Sequence, residues 1–237
     1  MSFSVIDSLK KAYVKPHPAG HPFIIGGLIA VVVFAMFSEF LMTLALIYTL
    51  FCLYFFRDPE RVVPQKASLV LAGGDGLISA IVPNVTLPAE IVGTDDRRYT
   101  RISTFLSVLD VHVNRNAVAG KVVCKVYVPG KFFNAELDKA SEHNERCSYI
   151  VETPAGQTVG VVQIAGLIAR RILNDTQEGD TLVAGARFGI IRFGSRVDIY
   201  VPDGINPLVC VGQRVIGGET VLADFENREA TRVGVVV

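Results

Sequence analysis

Two short segments of this chain carry residue types that could transfer protons or attack a carbonyl carbon. In the first, Asp110, His112 and Asn114 alternate with two valines. On a β-strand these polar side chains would share one face, with the valines on the other. A carboxylate beside an imidazole can orient it and stabilise its protonated form, as in serine hydrolases. Asp110 and His112 are therefore candidate catalytic residues, although surface strands and hydrogen-bonded core histidines show the same alternation.

The second segment is a Gly194-Ser195 pair between two apolar, strand-like stretches. A serine hydroxyl is a weak nucleophile and needs a base. His112 is the first candidate for that base, and His143 is the alternative. By itself, a Gly-Ser pair most often marks a tight turn with an exposed serine.

Composition excludes some classes of function. The 237 residues include 23 basic and 23 acidic side chains, and this balance argues against a nucleic-acid-binding protein. The cysteines are far apart and lack metal-type spacing, so we expect neither a disulfide framework nor a metal site. They are Cys52, Cys124, Cys147 and Cys210.

Two apolar arms, Phe23–Phe37 and Phe40–Phe56, flank Ser38-Glu39. A single helix through both would bury Glu39 near the bilayer centre, at about 2.5–3.5 kcal/mol. A helical hairpin with Glu39 at its tip avoids that cost, and basic residues on both sides favour two cytoplasmic ends. The arms predict a membrane anchor, and a buried hairpin in a soluble core is the alternative.

The rest of the chain has a β pattern of short Val-, Ile-, Thr- and Tyr-rich runs between Gly, Pro and Asp. We predict an α+β fold that is mostly β, with residues 1–63 as the membrane-associated helical hairpin and 64–237 as a β-rich sandwich. A helix is expected near Ile168–Leu173. Two glycine-centred repeats, 178–189 and 211–222, resemble the short hairpins of hammerhead-like modules. The predicted strands are Leu77–Val82, Thr100–Leu106, Val118–Val128, Ser148–Thr153, Thr158–Ile164 and Arg196–Val201.

Several segments together resemble phosphatidylserine decarboxylase proenzymes of the short bacterial and archaeal type. Residues 193–202 (FGSRVDIYVP) are similar to that family's self-cleavage region, with Phe-Gly-Ser-Arg in place of the Leu-Gly-Ser-Thr of longer relatives. Gly73–Ser79 resembles its Ala-Asp-Gly turn, with Gly74 in place of the alanine. The other similar blocks are Phe55–Pro64, Phe105–Val122, Asn144–Arg146 and Gln163–Ile172.

The resemblance implies a self-processing enzyme. Ser195 would attack the Gly194 carbonyl, and the chain would split into residues 1–194 and 195–237, which stay associated as a heterodimer. Ser195 would become a covalent pyruvoyl group that forms a Schiff base with the substrate amine and accepts electrons as carbon dioxide leaves. His112 would then donate a proton. Pyridoxal phosphate and metal ions are not expected.

The implied reaction converts phosphatidylserine to phosphatidylethanolamine in phospholipid biosynthesis, at the cytoplasmic face of the inner membrane. Arg170 and Arg171 are candidate contacts for the lipid phosphate, or else solvated helix charges. One rival is a pyruvoyl decarboxylase for a soluble amino acid, which would need no anchor. Another is a non-enzymatic anchored adaptor or carrier, which would leave Gly194-Ser195 intact. Oligomeric state beyond the heterodimer stays open.

Overall fold

The computed structural model describes residues 14–93, 97–133, 143–166, 171–192 and 194–235. The chain divides into two compact units, residues 1–60 and 61–237. This boundary lies between the predicted hairpin and the β-rich region. The described part contains much more strand than helix, which confirms the α+β class with a mostly β composition.

The first unit is a hairpin of two apolar helices, α1 (His21–Ala35) and α2 (Glu39–Phe55). Ser38 caps α2 by accepting a hydrogen bond from the Leu41 amide at 3.5 Å. The helices approach closely at Gly27, where a Cβ would overlap Thr49 Oγ1. Most of the remaining apolar side chains are exposed, for example Ile29 at 59%.

In the second unit the described residues form one short helix, α3 (Ala89–Val92), and thirteen strands. The strands are β1 Leu69–Leu71, β2 Gly76–Val85, β3 Tyr99–Leu106, β4 Val113–Arg115, β5 Gly120–Val128, β6 Arg146–Glu152, β7 Thr158–Ala165, β8 Ile172–Asn174, β9 Thr181–Leu182, β10 Arg187–Ile191, β11 Ser195–Pro202, β12 Arg214–Val215 and β13 Val221–Asp224.

Three antiparallel sheets share one apolar core. The largest has the order β12-β2-β3-β11-β7-β6-β5-β9, and the smaller ones have the orders β4-β10-β8 and β1-β13. Alternate residues of β11, including Val197 and Ile199, point into this core together with Phe188 of β10 and Leu222 of β13. Strand β11 lies between β3 and β7, and both of these neighbours come earlier in the chain.

The opposite face of the large sheet carries a second apolar cluster, which includes Ile91 of α3 and Tyr200 of β11. Polar groups are also buried on this side. Arg196 and Asp198 of β11 form an ion pair at 2.9 Å. The central strands of the large sheet, β7 and β11, are therefore covered on both faces, and nearly every side chain in them is buried.

The two predicted repeats occupy equivalent glycine turns. Gly185 and Gly218 have φ values of +72° and +77°, a conformation that favours glycine, and they pack against each other. Each repeat contributes two short strands, but those strands pair with other parts of the chain rather than with each other. The prediction that the two strands of each repeat pair with each other in a local hairpin is therefore wrong.

The helix expected near Ile168–Leu173 is wrong where the structure describes it. Ile172 and Leu173 belong to β8, which pairs with β10. Residues 168–170 lie outside the described part of the chain. A strand forms at 172–174 because β10 offers an open hydrogen-bonding edge there, a tertiary effect that overrides local helix preference.

Candidate active site

The β4–β10 pairing brings residues 113–115 beside residues 187–190. Val113 lies opposite Ile190, and the Ile191 amide donates to the His112 carbonyl at 3.3 Å. After Ile191 the chain passes from the three-stranded sheet into the large one, where Ser195 begins β11. The Gly-Ser pair is therefore a crossing between sheets rather than a hairpin turn.

The His112 side chain is fully buried and is held at both ring nitrogens. The Gly194 amide donates to Nε2 at 3.1 Å, and Nδ1 lies 3.0 Å from the Asp110 backbone carbonyl. A carbonyl oxygen only accepts hydrogen bonds, so Nδ1 carries the proton and Nε2 presents its lone pair. Standard backbone geometry then puts Nε2 within about 5.6 Å of the Gly194 carbonyl carbon.

Ser195 is also fully buried, and its Oγ has no hydrogen-bond partner among the described residues. A buried hydroxyl without a partner costs about 1–3 kcal/mol, and several other buried polar atoms of the described residues share this property. Gly194 has φ +74°, a left-handed conformation that costs other residues about 1–2 kcal/mol. Ser195 is therefore a buried residue beside a left-handed glycine, unlike the exposed serine that a Gly-Ser pair by itself most often indicates.

Asp110 lies in a turn rather than on the strand. β4 begins at Val113, so the polar alternation expected for Asp110 and His112 does not arise from strand geometry. The Asp110 carboxylate accepts from the Ser107 amide at 2.9 Å, from Ser107 Oγ at 2.7 Å and from Arg214. The contact that the structure gives between Asp110 and His112 is made by the Asp110 backbone carbonyl.

Asp75 is a further acidic residue that the sequence interpretation left without a role. Its carboxylate accepts from Arg61 at 2.7 Å and from the Gly217 amide at 2.8 Å. Burial raises the pKa of Asp75, and the charge of nearby Asp110 raises it further against the opposing effect of Arg61. The sequence feature that could have identified Asp75 as a site residue is its place in the Gly73–Ser79 turn.

The other predicted site residues have separate positions. His143 is exposed, with its ring edge toward Phe133 at a centroid distance of 6.4 Å. Arg170 lies outside the described residues. Arg171 is exposed, and its carbonyl accepts from the Arg192 amide at 3.3 Å, two residues before Gly194. Burial lowers the pKa of Arg192, and the positive charge of Arg171 lowers it further.

The Asn144–Arg146 block supports the strands beside Ser195. Asn144 Nδ2 donates to the carbonyl of Ala165, which pairs directly with Ser195. Arg146 forms an ion pair with Glu90 of α3 at 2.6 Å. Within the described ranges, no three His, Cys, Asp or Glu side chains are grouped closely enough to hold a metal ion.

Comparison with known proteins identifies one family. Residues 48–223 match the family model described as phosphatidylserine decarboxylase. The chain is 55% identical over 222 residues to the phosphatidylserine decarboxylase proenzyme of Granulibacter bethesdensis, covering 94% of this chain and 90% of that protein. It is 49% identical over 220 residues to the proenzyme of Ruegeria pomeroyi, covering 92% and 99%.

The chain is thus an enzyme of the decarboxylase class. It belongs to the phosphatidylserine decarboxylase family, since the match covers most of its length at about half identity.

Proposed function

We propose that this chain is a proenzyme that cuts itself between Gly194 and Ser195, and that the product decarboxylates phosphatidylserine to phosphatidylethanolamine and carbon dioxide. The observation that carries the proposal is the pairing of His112 Nε2 with the Gly194 amide, next to the buried and unpartnered Ser195 hydroxyl. The proenzyme names of the two relatives support the same processing.

In the proposed cleavage, His112 Nε2 accepts the Ser195 hydroxyl proton while Oγ attacks the Gly194 carbonyl carbon. The peptide bond breaks, its nitrogen takes up a proton, and Oγ becomes an ester oxygen. Elimination then releases Gly194 as a C-terminal carboxylate. Residue 195 is left as dehydroalanine, which loses ammonia on hydrolysis to become pyruvoyl. Asp110 acts as a positioning residue through its backbone carbonyl, which sets the His112 tautomer.

The two products are expected to remain one folded unit. After the cut, β11 of the smaller chain still pairs along its length with β3 and β7 of the larger chain. Val197, Ile199 and Val201 remain in the shared core. A heterodimer of chains 1–194 and 195–237 follows from this burial.

The residues around position 195 fit a pyruvoyl group. The space now holds an unpartnered Ser195 hydroxyl, and His112 lies within reach as a proton donor. Once formed, the group would supply an electrophilic carbonyl for the substrate amine, as a Schiff base, and an electron sink for the departing carboxylate. Arg171 and Arg192 provide positive charge beside the cut, and we assign the lipid phosphate to this pair.

The helical hairpin is the proposed membrane anchor. Residues 18–35 form a helical stretch long and apolar enough to cross a bilayer, and α2 is a shorter apolar helix. Exposed apolar side chains on both helices would be costly in water. Anchoring at the cytoplasmic face of the inner membrane would place the active site near a diacyl substrate that does not readily leave the bilayer.

The test is intact mass of the purified full chain under denaturing conditions, followed by turnover of phosphatidylserine in mixed micelles. We expect two chains, 1–194 and 195–237, with the smaller one lighter by one ammonia than a serine-terminated chain. Release of carbon dioxide from phosphatidylserine, but not from free serine, would support the lipid substrate. A single uncut chain with an unmodified Ser195 would refute the proposal and favour an anchored adaptor.

A further inference from the structure

A chain of hydrogen-bonded polar side chains leads from the half-buried Lys125 and Asn174 to the fully buried Gln163 and Asn114. Gln163 Nε2 donates to Asn114 Oδ1 at 2.7 Å, and Asn174 Nδ2 donates to Gln163 Oε1 at 2.8 Å. Asn174 Oδ1 accepts from the Thr176 amide at 3.0 Å and from Thr176 Oγ1 at 2.6 Å. Lys125 Nζ donates to the backbone carbonyls of Asn174 and Thr176. None of these side chains takes part in the proposed cleavage.

This network determines the orientation of each amide in turn. The Thr176 backbone N–H can only donate, so the atom it meets must be the Asn174 oxygen. Asn174 must then present its nitrogen to Gln163, and Gln163 must present its own nitrogen to Asn114. The Asn114 oxygen therefore accepts a hydrogen bond from Gln163, and its Nδ2 remains available to donate to another group.

Asn114 Nδ2 is buried and has no hydrogen-bond partner among the described residues, while the whole residue is 0% exposed. A buried amide nitrogen without an acceptor costs about 1–3 kcal/mol. Ser195 Oγ is another of the buried polar atoms of the described residues that have no hydrogen-bond partner. One hydrogen bond between the two would satisfy both.

Sheet register locates the Asn114 amide over the start of β11. Ser195 pairs with Leu106 of β3, and Val197 pairs with Gln163 of β7, all with side chains toward the same core face. Asn114 bonds Gln163, and both Asn114 Nδ2 and Leu106 lie within 3.2 Å of the position that a Cβ on Gly74 would occupy. The line from Gln163 to Leu106 crosses β11 between Ser195 and Val197.

Resting on the proposed self-cleavage, we propose that Asn114 Nδ2 becomes the hydrogen-bond donor to Ser195 Oγ once cleavage begins and the Ser195 side chain turns toward it, a bond that the uncut chain does not contain. In the elimination step the Ser195 Cα proton passes to His112, and the Cβ–Oγ bond breaks with its electron pair moving to Oγ. Asn114 stabilises the negative charge that develops on that oxygen as Gly194 leaves as a carboxylate.

The test follows self-cleavage of the full chain during cell-free synthesis in detergent, with intact mass as the readout. The variants are Asn114→Asp, which replaces the donor at nearly constant volume, and Asn114→Ala. Asn116→Ala is the matched control, because Asn116 is a buried amide two residues away whose Nδ2 donates to the Val183 carbonyl. We expect both Asn114 variants to process about 10²-fold more slowly, with the control close to wild type.

Hydroxylamine identifies the step that is slowed. It cleaves an ester at Gly194 and releases a smaller chain that begins with unmodified Ser195, so this product should accumulate in the Asn114 variants. Normal processing of Asn114→Asp would overturn the proposal, and a slow variant without the serine-terminated chain would overturn the assignment to elimination. A wild-type chain that stays uncut would instead refute the proposed function itself, so the two failures are distinguishable.

Discussion

Replacing Asp110 by Asn separates two ways in which this residue could act on His112. If the carboxylate stabilised a protonated histidine, as in a serine-hydrolase triad, the change would cost about 10⁴-fold in rate. The structure predicts a much smaller effect, because the contact to His112 Nδ1 comes from the Asp110 backbone carbonyl at 3.0 Å, which the substitution leaves in place.

The magnitude follows from the bonds that the carboxylate makes. The introduced asparagine could still accept from Ser107 through its remaining side-chain oxygen, so the 107–110 turn is retained. The substitution removes the ion pair with Arg214, whose side chain is 71% exposed. An exposed partner limits such a pair to about 1 kcal/mol. We therefore expect a loss of stability of about 1 kcal/mol and a change in self-cleavage of less than about tenfold.

The assay is the half-life of the uncut chain after synthesis, measured for Asp110→Asn beside His112→Gln. The introduced glutamine can keep an acceptor near the Gly194 amide but cannot act as a base, so cleavage in that variant should slow by about 10²–10⁴-fold. Equal and severe slowing in both variants would show that the carboxylate itself acts on the histidine. Normal cleavage in His112→Gln would remove the histidine from its proposed role.

Two further predictions concern stability. Burial opposes the charged form of Glu90, but hydrogen bonds from Arg146 and neighbouring groups outweigh it and lower the pKa of the Glu90 carboxyl group. Glu90 therefore stabilises the fold above pH 4.5, and this contribution is lost as pH falls through the lowered pKa. Urea midpoints measured at several pH values should show a smaller loss of stability in acid for Glu90→Gln, and Glu90→Ala should cost about 3 kcal/mol at pH 7. In the hairpin, the leucine side chain of Gly27→Leu should overlap Thr49 and lower the melting temperature in detergent. Gly26→Ala should leave the melting temperature unchanged, because no atom lies within 4 Å of a Cβ added at Gly26. Equal melting temperatures for the two variants would contradict the close helix contact at Gly27.

Local pattern was sufficient for most of the secondary structure. The predicted apolar arms match α1 and α2, with Glu39 at the start of the second helix. The predicted strands overlap β2, β3, β5, β6, β7 and β11, because strands covered on both faces remain rich in β-branched residues. The family was also readable from the sequence, since motifs such as the Gly194-Ser195 region are contiguous. Composition and short motifs require no knowledge of long-range contacts.

The sequence by itself therefore determined the helical hairpin, the β-rich class and the serine at which chemistry is proposed. Tertiary structure decided which atoms meet. Only the pairing of β4 with β10 shows that His112 reaches the Gly194 amide, and only the turn at 107–110 shows that the Asp110 backbone carbonyl contacts its other nitrogen. The orientation of Asn114 likewise depends on a backbone amide 62 positions later in the chain, at Thr176. Such contacts join segments far apart in sequence, and burial leaves each polar group with few partners, so their geometry follows from the fold as a whole.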